Sequence, residues 1–130
     1  MRKMEEMEQR YQQVTEEEKQ EVIDKCMSKW NFVKPANPES MKKAAGYYLA
    51  VKSICDERGY DAISLKDVDG MKKLLGFPPA PIFMLLSDEA GLCTIPENDA
   101  LGTITQLMVK YLTGQCAFYL EFYEFFEDRV

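Results

Sequence analysis

The chain has 130 residues, 46% of them hydrophobic, with a net charge of -6 and no histidine. That length fits one domain with room for a core, and the acidic balance argues against a nucleic-acid partner, which needs clustered Lys and Arg. No apolar run approaches the ~20 residues of a membrane span, and without histidine neither a Ser-His-Asp nor a Cys-His pair can be assembled.

The opening "MRKMEEMEQR" lacks the apolar centre of a signal peptide. The four cysteines, Cys26, Cys55, Cys93 and Cys116, have no C-x-x-C spacing. They read as reduced, mostly buried thiols of a cytoplasmic protein.

Residues 1–14 read as a helix with one narrow apolar stripe, Met4, Met7, Tyr11 and Val14. "TEEE" at Thr15 matches a capping box, with Glu18 reaching back to the cap. The helix it starts has an apolar face of Val22, Ile23, Cys26, Met27 and Trp30. A loop with two prolines follows. It separates an N-terminal helical segment, residues 1–36, from an α/β region, residues 37–130. Asn37 and Pro38 start a third helix that runs to about Arg58 and stops at Gly59. Its apolar side is Met41, Ala44, Ala45, Tyr48, the Lys52 stem and Cys55.

"YDAISL" reads as a strand with Ala62, Ile63 and Leu65 inside. A short helix covers roughly Val68 to Leu75 and ends at Gly76. Asp61, Asp67 and Asp69 read as turn and helix-start residues. "IFMLLSDEAG" is a short apolar run assigned to helix because its polar tail and Gly91 resemble a helix ending. "LCTI" is a strand stopped by Pro96. The clearest helix spans 98–113, with Leu101, Ile104, Leu107, Met108, Tyr111 and Leu112 at three-and-four spacing. Asn98 or Asp99 caps it, and Gly114 ends it. "CAFYLEF" reads as a further strand. Short apolar strands alternating with helices predict a parallel sheet covered by helices.

Ligands of such sheets sit at the strand C-terminal ends. Glu97 lies just beyond one strand and Glu121 at the end of the next, among Phe118, Tyr119, Phe122, Tyr123, Phe125 and Phe126. Two neighbouring carboxylates repel unless a cation lies between them or one holds a proton. They can bind Mn2+ or Mg2+, or act as an acid/base pair. The plainer alternative makes Glu97 a helix-start carboxylate favoured by the helix dipole and Glu121 a solvated strand-end residue.

The segment "TIPENDALGTITQLMVKYLTGQCAFYLEFYEFF" resembles the L-fucose isomerase family, with an "END" triplet after a strand, a helix ending in "LTG" and an acidic strand end. "GYDAISLKD" and "PAPIFMLLSDEAG" are similar to the family's preceding strand and helix, so the likeness spans about residues 45–126. It implies the Rossmann-like middle domain of an Mn2+-dependent aldose–ketose isomerase, acting on fucose, arabinose or a related sugar through an enediol. Glu97 and Glu121 then correspond to metal ligands that double as the acid/base pair. L-fucose isomerases carry Asp at the second position, and L-arabinose isomerases carry Glu. The family's metal site also takes a histidine from a C-terminal domain, which this chain lacks. The expectation is therefore a piece of such an enzyme, inactive by itself, with an uncovered aromatic run that makes it a homo-oligomer, a dimer or larger. The alternative is a non-catalytic interaction or oligomerisation module presenting the N-terminal stripe.

Overall fold

The computed structural model describes residues 2–120 and 126–127. In chain order the elements are α1 (Arg2–Tyr11), α2 (Glu16–Lys29), α3 (Pro38–Arg58) and β1 (Ala62–Ser64). A π-helical stretch, Asp67–Lys72, then runs into α4 (Lys73–Leu75), followed by α5 (Ala80–Asp88), β2 (Cys93–Ile95) and α6 (Ala100–Thr113). None of the described helices is long and apolar enough to cross a membrane.

Local chemistry sets the helix boundaries. Thr15 accepts from Glu18 N–H at 3.2 Å, while the Glu18 carboxylate accepts from Thr15 N–H at 2.8 Å. This reciprocal box satisfies two donors that the first turn of α2 would otherwise leave unpaired. Asn37 Oδ1 accepts from Ser40 N–H at 3.0 Å, with Pro38 in the first turn of α3. Gly59, at φ 65°, closes that helix in the left-handed conformation.

Helix α3 is the centre of the packing and touches α1, α2 and α5. Enclosure by three neighbours buries more than the one side its apolar spacing suggested. Tyr47, Ala50, Val51 and Ile54 are inside together with Ala44, Ala45, Tyr48 and Cys55. The α1 stripe packs on the protein's own core: Met7 is 3% exposed, and Met4 and Tyr11 lie against the same cluster. Cys26 of α2 also belongs to that cluster. Met27, expected on the α2 apolar face, is exposed instead, because the face that meets α3 is centred on Cys26 and Lys19.

Glu89, just past α5, ties α5 to α2. It pairs with Lys25 and, at 2.8 Å, with Lys29. Those two ammonium groups, Lys25 foremost, hold its carboxyl below the ordinary 4.5. A depressed folded-state pKa adds stability above the unfolded value and loses it as pH falls through the folded one. Wild type should therefore melt above Glu89→Gln at pH 7. The gap should close as the melts are repeated at pH values below 4.5.

The sheet has two parallel strands in the register Ala62↔Cys93, Ile63↔Thr94 and Ser64↔Ile95. β2 is fully buried, with α5 on it and α6 against both strands. The chain is thus mostly helical around a small parallel sheet, a general α/β arrangement. The expected third strand is not seen over Cys116–Leu120, which lies outside any strand. A strand exists only with a ladder partner, and the Ala117 carbonyl instead accepts from the Gln106 side chain at 2.8 Å.

Candidate functional site

The loop leaving β2 carries the most unusual backbone of the protein. Glu97 (φ 62°) and Asn98 (φ 58°) are the two non-glycine residues at positive φ among the described residues. Asparagine enters this region readily. Glutamate does so at a cost of about 1–2 kcal/mol. The surroundings over-determine the loop. Asn98 N–H donates to the Leu65 carbonyl at 3.2 Å, tying the end of β2 to the end of β1. Ser64 Oγ donates to the Ile95 carbonyl at 2.6 Å across the same edge. Asp99 then caps α6, accepting from Gly102 N–H at 2.9 Å.

Gly102 is required where it stands. A Cβ there would lie 2.4 Å from Asp99 Oδ2 and 3.4 Å from Ile95 Cγ2. Gly102→Ala should therefore displace the cap and lower stability by about 1–2 kcal/mol, read from denaturant melts.

These contacts put Glu97 at the C-terminal edge of the sheet, as its position after a strand predicted. The side chain is exposed and makes no hydrogen bond or ion pair among the described residues. A second carboxylate occupies the same edge. Asp67 follows β1, is 15% exposed, and lies 3.3 Å from Lys72 Nζ across the π-helical turn. Asp67 is the helix-start residue that the sequence suggests, opening the π-helical stretch, and it stands after an apolar strand just as Glu97 does. The two differ in compensation: Asp67 has its lysine, and Glu97 has none.

A cavity of about 730 Å³ runs along β1 between α1 and α6. Ile63, Leu65 and Ile104 give it apolar walls, and Lys66, Asn98 and Thr103 give it polar groups. Its size suits a small organic ligand. The lining reaches Asn98 and stops short of Glu97, so the carboxylate stands outside it.

No family model, curated protein or solved structure matches the chain.

The second predicted site residue, Glu121, lies outside the described residues. Among the described residues no three acidic or cysteine side chains come together as a metal group. A hard divalent cation takes about six oxygen ligands, several of them from protein. Glu97 by itself does not supply such a set, and a cation held there would need further ligands from beyond the described residues. What the described arrangement offers is an uncompensated carboxylate, held in a costly backbone conformation beside a sheet edge. Such a group can accept a proton or join an oxygen ligand set.

Proposed function

We propose that the chain is part of an aldose–ketose isomerase resembling the L-fucose isomerases, with a Rossmann-like middle domain and Glu97 as a working carboxylate. The observation that carries this reading is Glu97 itself: left-handed, exposed and without a partner among the described residues, at the C-terminal edge of a parallel sheet. A carboxylate kept only to cap α6 would not need that conformation, because Asp99 already caps the helix. Aldose–ketose interconversion is redox-neutral. A base removes the proton from the carbon next to the carbonyl, and the same proton count returns to the adjacent carbon after the enediol forms. Glu97 fits the accepting role, with Glu121 as its partner. Mn2+, when bound, would polarise the sugar oxygens and make that proton more acidic. With no histidine to complete the family's ligand set, the chain alone turns over no sugar.

The test is a Mn2+ titration followed by electron paramagnetic resonance, with ketose formation from fucose and arabinose assayed in the same samples. Wild type binds the ion weakly and forms no ketose. Glu97→Gln and Glu121→Gln each weaken binding by about tenfold or more. Equal affinity in Glu97→Gln refutes the role of Glu97, and ketose made by the chain alone refutes its insufficiency.

One observation favours a second reading, an association module. On α6, Leu101 is 78% exposed and Leu112 83%, and Ile104, Met108 and Tyr111 are exposed with them. The only charged side chain of that helix, Lys110, turns inward to the Gly91 carbonyl. A charge-free apolar face of this kind promotes self-association. Sedimentation should show a dimer or larger species that becomes monomeric in Leu101→Asp/Leu112→Asp. A wild-type monomer at high concentration contradicts this.

A further inference from the structure

Among the described residues β1 pairs on one side only, with β2. The Asp61 and Leu65 carbonyls accept from Cys93 N–H at 3.1 Å and Asn98 N–H at 3.2 Å. Successive residues of a strand turn their N–H and C=O groups to alternate sides. Ile63 therefore also faces β2, and Ala62 and Ser64 face away from it. The backbone groups of those two residues have no hydrogen-bond partner among the described residues. The Ser64 hydroxyl does not serve that edge, because it donates back to the Ile95 carbonyl.

The cavity of about 730 Å³ between α1 and α6 follows this free edge. Every residue from Tyr60 to Lys66 lines it. A cavity over one face of the sheet would touch every second residue instead. Met4 and Met7 of α1 stand on one side, and Ile104 and Leu107 of α6 on the other. The strand itself is half-buried between them. The cations at the two ends are already compensated: Arg58 pairs with Glu6 at 2.6 Å, and Lys66 with Asp69 at 3.5 Å.

We propose that the β1 edge takes up an extended, apolar peptide segment of a partner protein as a further strand of the sheet. Ala62 and Ser64 present two donor–acceptor sets about 6.6 Å apart along the strand. An extended backbone repeats its own donors and acceptors at that spacing and pairs both sets at once. A compact molecule that reaches one set leaves the other unpaired. The methionine, isoleucine and leucine walls receive apolar side chains on both faces of the added strand. A second copy of this chain fits less well. Its own α1 and α6 flank its β1 and would meet these helices before the two edges came within the ~4.8 Å of a strand pair. The chain's own course after α6 runs on the other side of the sheet, where Ala117 and Thr94 line a different cavity. This inference does not depend on the role of Glu97.

The test is amide hydrogen exchange, read by NMR on the full chain alone and with a capped Thr-Val-Ile-Val-Val-Thr peptide. With the peptide at about ten times its dissociation constant, exchange at Ala62 and Ser64 should slow about tenfold, while Ile63, already bonded to β2, stays as it was. Ala62→Pro removes one outward donor, a change that an edge strand accepts, and should weaken peptide binding about fivefold. No binding at millimolar peptide overturns the proposal. Binding that leaves exchange at Ala62 and Ser64 unchanged does the same, because the cavity then holds an apolar molecule without strand pairing. Slow exchange at both residues in the free protein that speeds up on dilution puts a second copy on the edge, and also overturns it.

Discussion

Replacing Gly46 by leucine should destabilise the protein by about 3 kcal/mol, at the upper end of what overpacking costs. Gly46 lies where α1 crosses α3. A Cβ at this position would stand 2.5 Å from Tyr11 Cε2, 2.9 Å from Tyr11 Cδ2 and 3.1 Å from Lys19 Cε. The Tyr11 ring cannot simply swing aside. It stacks on Tyr47 with centroids 4.3 Å apart, and Lys19 Nζ sits 4.9 Å above it on the other side. Tyr47 is fixed in turn by Phe77 at 5.9 Å and by its hydroxyl, which donates to Glu8 at 2.9 Å. Any side chain at 46 therefore pushes α1 off the core and exposes Met7. Denaturant melts would show the loss. A double-mutant cycle with Tyr11→Ala identifies its cause, because Gly46→Ala should be tolerated once the ring is gone and alanine's better helix propensity remains. A Gly46→Leu protein as stable as wild type would mean that α1 does not dock in this way.

The second large effect is a split between stability and binding at Glu97. Glycine takes φ near 60° without the Cβ clash that glutamate suffers there. Glu97→Gly therefore relieves about 1–2 kcal/mol of strain and gives back up to about 1 kcal/mol through a more flexible unfolded chain. The net gain is between about 0 and 2 kcal/mol. Glu97→Ala keeps the Cβ and the strain, so it gains nothing. Both variants lose the carboxylate. A residue retained for structure would show the reverse pattern, with glycine less stable than wild type.

Much of the fold was legible because short-range chemistry specifies it. Thr15 with Glu18 and Asn37 with Pro38 mark helix starts through groups only a few residues apart, and Asp99 and Gly114 each mark one end of α6. The strands at Ala62 and Cys93 were bounded by turn residues and tied into a parallel pair as expected. What failed to read through was orientation. The spacing of Leu101, Ile104, Met108 and Tyr111 shows that α6 has an apolar face, but not what covers it. In the fold Gln106 is the buried residue of α6, and much of that apolar face is outside. Likewise, the apolar composition of Cys116–Leu120 favours a strand but supplies no neighbouring edge to pair with. At the site, the position of Glu97 was legible from the strand before it. Its left-handed backbone was not, because glutamate gives no local signal for that conformation.

The most direct test of Glu97 as a working carboxylate is the Mn2+ affinity of Glu97→Gly beside that of wild type, on samples whose melts confirm an intact fold. The account predicts binding about tenfold weaker or worse in a protein that is at least as stable as wild type. Unchanged affinity in the glycine variant would contradict it, leaving Glu97 a strained surface residue with no part in holding a cation.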